Sequence, residues 1–85
     1  MPQRVLITGG FGTLGRAVAQ AFEAEGASVA LIDLAPAPAG APPTQVGGVD
    51  LTDAEAAARA LAQAKAALGG ADVVANIAGG FTWEK

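Results

Sequence analysis

An α/β fold built on a doubly wound parallel sheet is predicted by three features of this 85-residue sequence. Short apolar runs alternate with segments of helical periodicity, the pattern of parallel strands joined by crossover helices. The first run, Arg4-Val5-Leu6-Ile7, enters a glycine-rich turn from Thr8 to Gly15 that opens a helix. The later runs end on Asp33, on Asp50-Leu51 and on Ala78-Gly79-Gly80, small or polar residues suited to the carboxyl ends of strands.

The elements follow in order. After the first strand, a helix is predicted from about Thr13 to Glu25, because Leu14, Val18 and Phe22 recur every fourth residue with Ala17 and Ala21 beside them. Arg16 falls off that stripe and is expected on the solvated outer face. Gly26 is placed to cap the helix, and Ser28-Val29-Ala30-Leu31-Ile32 is an apolar run suited to a strand buried on both faces. From Ala35 to Pro43 the prolines at 36, 38, 42 and 43 remove amide donors, so an exposed connector without a regular helix is expected. Gln45 to Val49 is the third strand, weakened by Gly47 and Gly48.

Thr52 with Glu55 three residues later has the spacing of a capping box, and Ala54, Ala57, Leu61, Ala64 and Leu68 mark one helical stripe. Glu55 and Arg59 are spaced to pair on the outer face. Gly69-Gly70 ends this helix, and Asp72 to Ile77 is the fourth strand. Right-handed crossovers then give the spatial strand order 3-2-1-4. The order reverses between strands 1 and 4, where a crevice at the carboxyl ends of the strands receives ligands.

Composition narrows the chemistry. Five Lys and Arg against eight Asp and Glu leave a net charge of -3, which does not suit a chain that gains affinity by neutralising nucleic-acid phosphates. The 85 residues hold no cysteine and no histidine, so they offer no disulfide, no thiol, no zinc site of the usual ligand set and no histidine acid-base chemistry. The carboxylates are scattered, and no metal site is assigned. Val5-Leu6-Ile7 is too short for a signal-peptide core or a membrane span, which makes the cytoplasm the expected compartment.

Gly10-x-Gly12-x-x-Gly15 satisfies the dinucleotide fingerprint. One glycine serves the tight turn, one the approach of pyrophosphate to backbone, and one the close packing of helix on strand. Asp33 follows Gly12 by 21 positions, the spacing at which an acid meets the adenosine ribose. A carboxylate there accepts ribose hydroxyls, typically worth about 1.5 to 3 kcal/mol for a charged acceptor, and repels a 2′-phosphate. NAD rather than NADP is the expected cofactor.

At this point the chain resembles the short-chain dehydrogenase/reductase family, through Thr8-Gly9-Gly10-Phe11-Gly12-Thr13-Leu14-Gly15, Asp50-Leu51 and Asn76-Ile77-Ala78-Gly79. The resemblance covers the N-terminal, cofactor-binding part of the family's Rossmann-type domain. Residues 1–85 are accordingly read as one portion of a single dinucleotide-binding domain. The resemblance implies a cofactor site made by Gly9, Gly12, Thr13, Leu14, Gly15 and Asp33. It further implies that Asp50 bonds the adenine amino group with Leu51 against the ring, that Asn76 steadies the central strand, and that Ala78 and Gly79 pass close to a cofactor ribose.

Glycines at 9, 12 and 15, with Thr13 where the commonest dehydrogenase spacing has a glycine, match the epimerase-like and atypical branches. Asn76 to Gly79 points instead to the oxidoreductases, with Ile77 in place of that motif's second asparagine. The family's chemistry uses a tyrosine, a lysine four residues later and a serine. These 85 residues contain no tyrosine, and their only serine, Ser28, opens the second strand, so no catalytic residue is assigned.

The expected activity is that of the cofactor-binding part of an NAD-dependent short-chain oxidoreductase, with a small-molecule substrate in the complete protein. A non-catalytic dinucleotide-binding module or sensor and an epimerase-like member are the alternatives. Strand 4 is expected to form an edge that associates with further chain or with another copy. Phe81 and Trp83 are expected to belong to a frayed terminus.

Overall fold

A computed structural model describes residues 3–77 of the chain. Strands β1 (Arg4–Thr8), β2 (Ser28–Ile32), β3 (Gln45–Val46) and β4 (Val73–Asn76) form one sheet in the order β3-β2-β1-β4, and all pairs are parallel. Helix α1 (Thr13–Ala24) carries the chain from β1 to β2, and α2 (Ala54–Leu68) carries it from β3 to β4. The predicted strand order is therefore the observed one. The register sets Thr8 level with Ile32 on one side and with Asn76 on the other, so the ends of three strands share one edge of the sheet.

Alternation along the strands divides the core into two layers. Leu6, Ala30, Ile32 and Val46 face α2, where Ala60 and Ala64 meet them. Val5, Ile7 and Leu31 face α1 and pack with Ala19, Val18, Phe22 and Phe11. Leu6, Ile7, Ile32 and Val5 are the largest fully enclosed side chains. Each contributes about 1.5 to 3 kcal/mol relative to exposure.

The expected helical stripes are met in part: Val18 and Phe22 of α1 and Leu61, Ala64 and Leu68 of α2 pack on the core, whereas the first residue of each stripe does not. On α1 the buried residues are Gly15 and Ala19, while Leu14 is 41% exposed. On α2 they are Ala60 and Ala64, and Ala54 is exposed. Small residues take the contact line because they let a helix lie close to the sheet. The helix ends match the glycines: Gly26 (φ +87°) donates to Glu23 O and Ala27 to Phe22 O, closing α1 in a Schellman pattern. Gly69 (φ +87°) ends α2, with its amide on Lys65 O.

Two strands differ in extent. β3 ends at Val46 rather than Val49, because Gly48 lies at φ +69° and the connector crosses over Gly47, where a Cβ would stand 2.1 Å from Ala37 N. β4 forms the edge as expected, but only its α1 side is packed, through Val73, Ala75 and Ile77. Val74 is 60% exposed, since α2 packs on β1, β2 and β3.

The proline-bearing connector contains no helix, as predicted. A groove therefore runs along α1, lined by Arg16, Gln20, Glu23, Leu31, Thr44 and Gln45 among others. At the opposite, amino end of the sheet, Arg4 is tied to Asp72 (Nε to Oδ2 3.3 Å) and to the carbonyl of Gly69.

Candidate functional site

The site is built where β1 runs out. Gly9 turns the chain at φ +77°, and the amides of Gly9 and Gly10 both donate to Ile32 O (2.6 and 3.2 Å), which binds the turn to the end of β2. The left-handed conformation thus belongs to Gly9, while Gly10 is glycine for lack of room: a Cβ there would lie 2.8 Å from Leu31 Cβ. Gly15 is crowded further, since its Cβ would come 2.2 Å from Gly9 O and 2.7 Å from Gly10 Cα. Its close approach is to the turn itself.

Gly12 is different. Its φ of -75° and ψ of 172° are open to any residue, and the nearest atom to a Cβ would be Gly9 O at 3.9 Å. Neither backbone conformation nor packing among the described residues requires glycine at this position. It is also the N-cap of α1, without a side-chain cap and without an acidic residue in the first turn. Arg16 N bonds back to Gly12 O at 2.9 Å, so the amides ahead of it in the first turn have no carbonyl within the helix to receive them. Thr13 and Leu14 stand exposed in that turn.

Asp33, half-buried just past β2, is bonded into the turn. Its Oδ2 accepts from Phe11 N at 2.9 Å and its Oδ1 from Ala35 N at 3.1 Å. Its own backbone joins the third strand's exit to the site, because Asp33 N donates to Val46 O and Val49 N donates to Asp33 O. That pairing brings Asp50, the next residue, to the same edge of the sheet.

Asp50 is exposed and organises its own turn. Its Oδ1 accepts from Thr52 Oγ1 (2.6 Å) and Thr52 N (3.0 Å), and these bonds, the hydroxyl first, hold its carboxyl below the ordinary carboxylate range. The Thr52 hydroxyl is thereby taken, and the cap of α2 falls one residue later than the capping-box spacing suggested. Asp53 is the N-cap, its Oδ1 accepting from Glu55 N (3.0 Å) and Ala56 N (3.3 Å). Leu51 is half-buried against the core beneath α2. Glu55 and Arg59 pair at 3.8 Å, as their spacing predicted.

At the reversal between β1 and β4, Thr8 Oγ1 donates to Asn76 Oδ1 at 2.8 Å and Ile77 N to Thr8 O at 2.9 Å. The glycine turn, Asp33, Asp50 and Asn76 thus all lie at the carboxyl edge of the sheet. Ala78 and Gly79, and with them Phe81 and Trp83, lie outside the described residues. One contact had no signal in the sequence. Arg16, exposed as expected, turns its Nε back to Phe11 O at 2.8 Å, a bond that depends on how the turn folds.

Parallel strands in the order 3-2-1-4 with helices on both faces, and a glycine turn leading into an open helix start at the reversal, define a Rossmann-type α/β protein. A short chain dehydrogenase family model matches residues 3–85, and the chain belongs to that family, whose members bind nicotinamide dinucleotides. No helix among the described residues is long and apolar enough to cross a membrane.

Proposed function

We propose that residues 1–85 form the N-terminal cofactor-binding part of an NAD-dependent short-chain oxidoreductase, within a domain that further chain completes beyond the β4 edge. The observation that carries this reading is Gly12, which neither its backbone nor its neighbours among the described residues require to be glycine, standing at the uncapped start of α1. A Cβ there would project into space that the described residues leave open, and that space suits a pyrophosphate held against backbone amides.

In this reading the first-turn amides of Thr13, Leu14 and Gly15 donate to the pyrophosphate, and Gly9 and Gly15 shape the turn that presents them. Asp33 receives the adenosine ribose. An ionised carboxylate has about four acceptor sites, and the two amides on Asp33 leave room for a pair of hydroxyls. The negative charge that favours the diol disfavours a 2′-phosphate, hence NAD over NADP. Asp50 accepts from the adenine amino group beside Leu51, Asn76 steadies the central strand through Thr8, and Ala78 and Gly79 are assigned to a cofactor ribose. When bound, the nicotinamide ring supplies hydride transfer to or from a carbonyl or alcohol substrate.

Titration calorimetry of the protein with NADH tests the site. Binding is expected, and Gly12→Val is expected to abolish it; equal affinity in the variant would overturn the assignment. Asp33→Ala is expected to narrow the preference for NADH over NADPH, and an unchanged ratio would show that other residues choose the cofactor.

A further inference from the structure

Phe11 lies between Gly10 and Gly12, and it is held at three points. Its ring packs in the layer beneath α1, its amide donates to Asp33 Oδ2 at 2.9 Å, and its carbonyl accepts from Arg16 Nε at 2.8 Å. The residues around it, Gly9, Gly10, Gly12 and Gly15, belong to the type that loses most conformational freedom when fixed. A turn of this composition holds one shape only if something outside its own backbone fixes it. The two side chains at Phe11 come from different elements, one from the end of β2 and one from the first turns of α1, and they carry opposite charges without pairing with each other.

We propose that Asp33 and Arg16 clamp Phe11 from its two sides and set the shape of the glycine turn before a ligand arrives. Arg16 is then a positioning residue for the pyrophosphate, and Asp33 has a second task beside ribose recognition. The proposal rests on the turn being the cofactor site. The choice of atom favours a clamp over a direct phosphate contact, since it is Nε, rather than the outer guanidinium nitrogens, that is committed to the turn.

Two substitutions separate the clamp from simple charge. Arg16→Gln keeps an N–H donor on the atom bonded to Cδ, where Nε stands, and removes the charge. Arg16→Met puts a methyl group at the end of a chain of equal length and removes both. Amide hydrogen exchange of the ligand-free protein is read at Phe11 relative to Leu6 in β1, a ratio that rises only if the turn opens more than the core does. Arg16→Met is expected to raise that ratio about three- to tenfold, the size of one hydrogen bond's net contribution, and to weaken NADH binding similarly. Arg16→Gln is expected to return both to near the unaltered values.

An unchanged exchange ratio in Arg16→Met overturns the clamp. So does NADH binding that falls equally in both variants, which would assign Arg16 to charge neutralisation. The cofactor reading fails separately, if the unaltered protein does not bind NADH, and the exchange ratio still judges the clamp in that case.

Discussion

Helix α2 begins at Asp53, whose carboxylate takes the amides of Glu55 and Ala56, with the acid of Glu55 in the first turn. Helix α1 begins at Gly12, which has no side chain to offer, and no acid follows in its first turn. The two starts face the same electrostatic problem, a cluster of unpaired amides with partial positive charge. One is solved inside the chain and the other is left open at the edge where Asp33, Asp50 and Asn76 gather. The asymmetry supports the proposal that the start of α1 is the one that receives an anion.

The largest effect is expected where the turn packs on itself. Gly15→Ala places a methyl group against Gly9 O and Gly10 Cα, backbone atoms that cannot rotate away. A loss of about 3 kcal/mol or more is expected, the upper part of the range for overpacking, read from the midpoint of urea unfolding. Gly12→Ala, three residues away, is expected to cost no more than about 1 kcal/mol, the difference between glycine and alanine at an N-cap. Similar losses in the two variants would break the distinction between a glycine that the fold needs and one that a ligand needs.

Gly12→Asp builds the arrangement of α2 onto α1. Stability is expected to hold or rise by a few tenths of a kcal/mol, because aspartate is slightly better than glycine at an N-cap. NADH affinity is expected to fall at least about tenfold, roughly 1.4 kcal/mol, since the new carboxylate competes for the same amides and repels the pyrophosphate. The reverse change, Asp53→Ala, is expected to cost about 1 kcal/mol of stability and leave NADH affinity where it was. Calorimetry and urea unfolding on both variants compare the two helix starts directly.

The sequence was informative about these elements to different degrees. Strand order, the two glycine-capped helix ends and the helix-free connector follow from local chemistry that a residue pattern carries by itself. The line of closest helix contact does not, because leucine at position 14 advertises burial more loudly than the small residues Gly15 and Ala19 that the sheet admits. Thr52 and Asp53 are both good caps, and the choice between them was made by Asp50, which engages the threonine hydroxyl first. The task of Gly9 and the bond from Arg16 to Phe11 were hidden for a related reason: each depends on the path of a turn, and glycines leave that path undetermined by sequence. The spacing to Asp33 located a carboxylate just past β2 but could not show that it holds the turn.

The smallest effect belongs to the opposite end of the sheet and sharpens the contrast between its two edges. Asp72 accepts from the Arg4 side chain and from Arg4 N, and these bonds, the side chain first, hold its carboxyl below the ordinary range. The folded state therefore prefers the ionised form more than the unfolded chain does. That preference stabilises the fold at pH above the ordinary aspartate value of about 3.9 and is lost as the pH falls through the lower, folded value. Asp50 has the same sign, through Thr52. Asp72→Asn is expected to narrow the gap between urea midpoints measured at about pH 7 and about pH 3. Because Asp72 closes only a structural staple with Arg4 at the amino edge, the same variant is expected to bind NADH as the unaltered protein does; a coupled loss of affinity would mean that the two edges of the sheet are not independent.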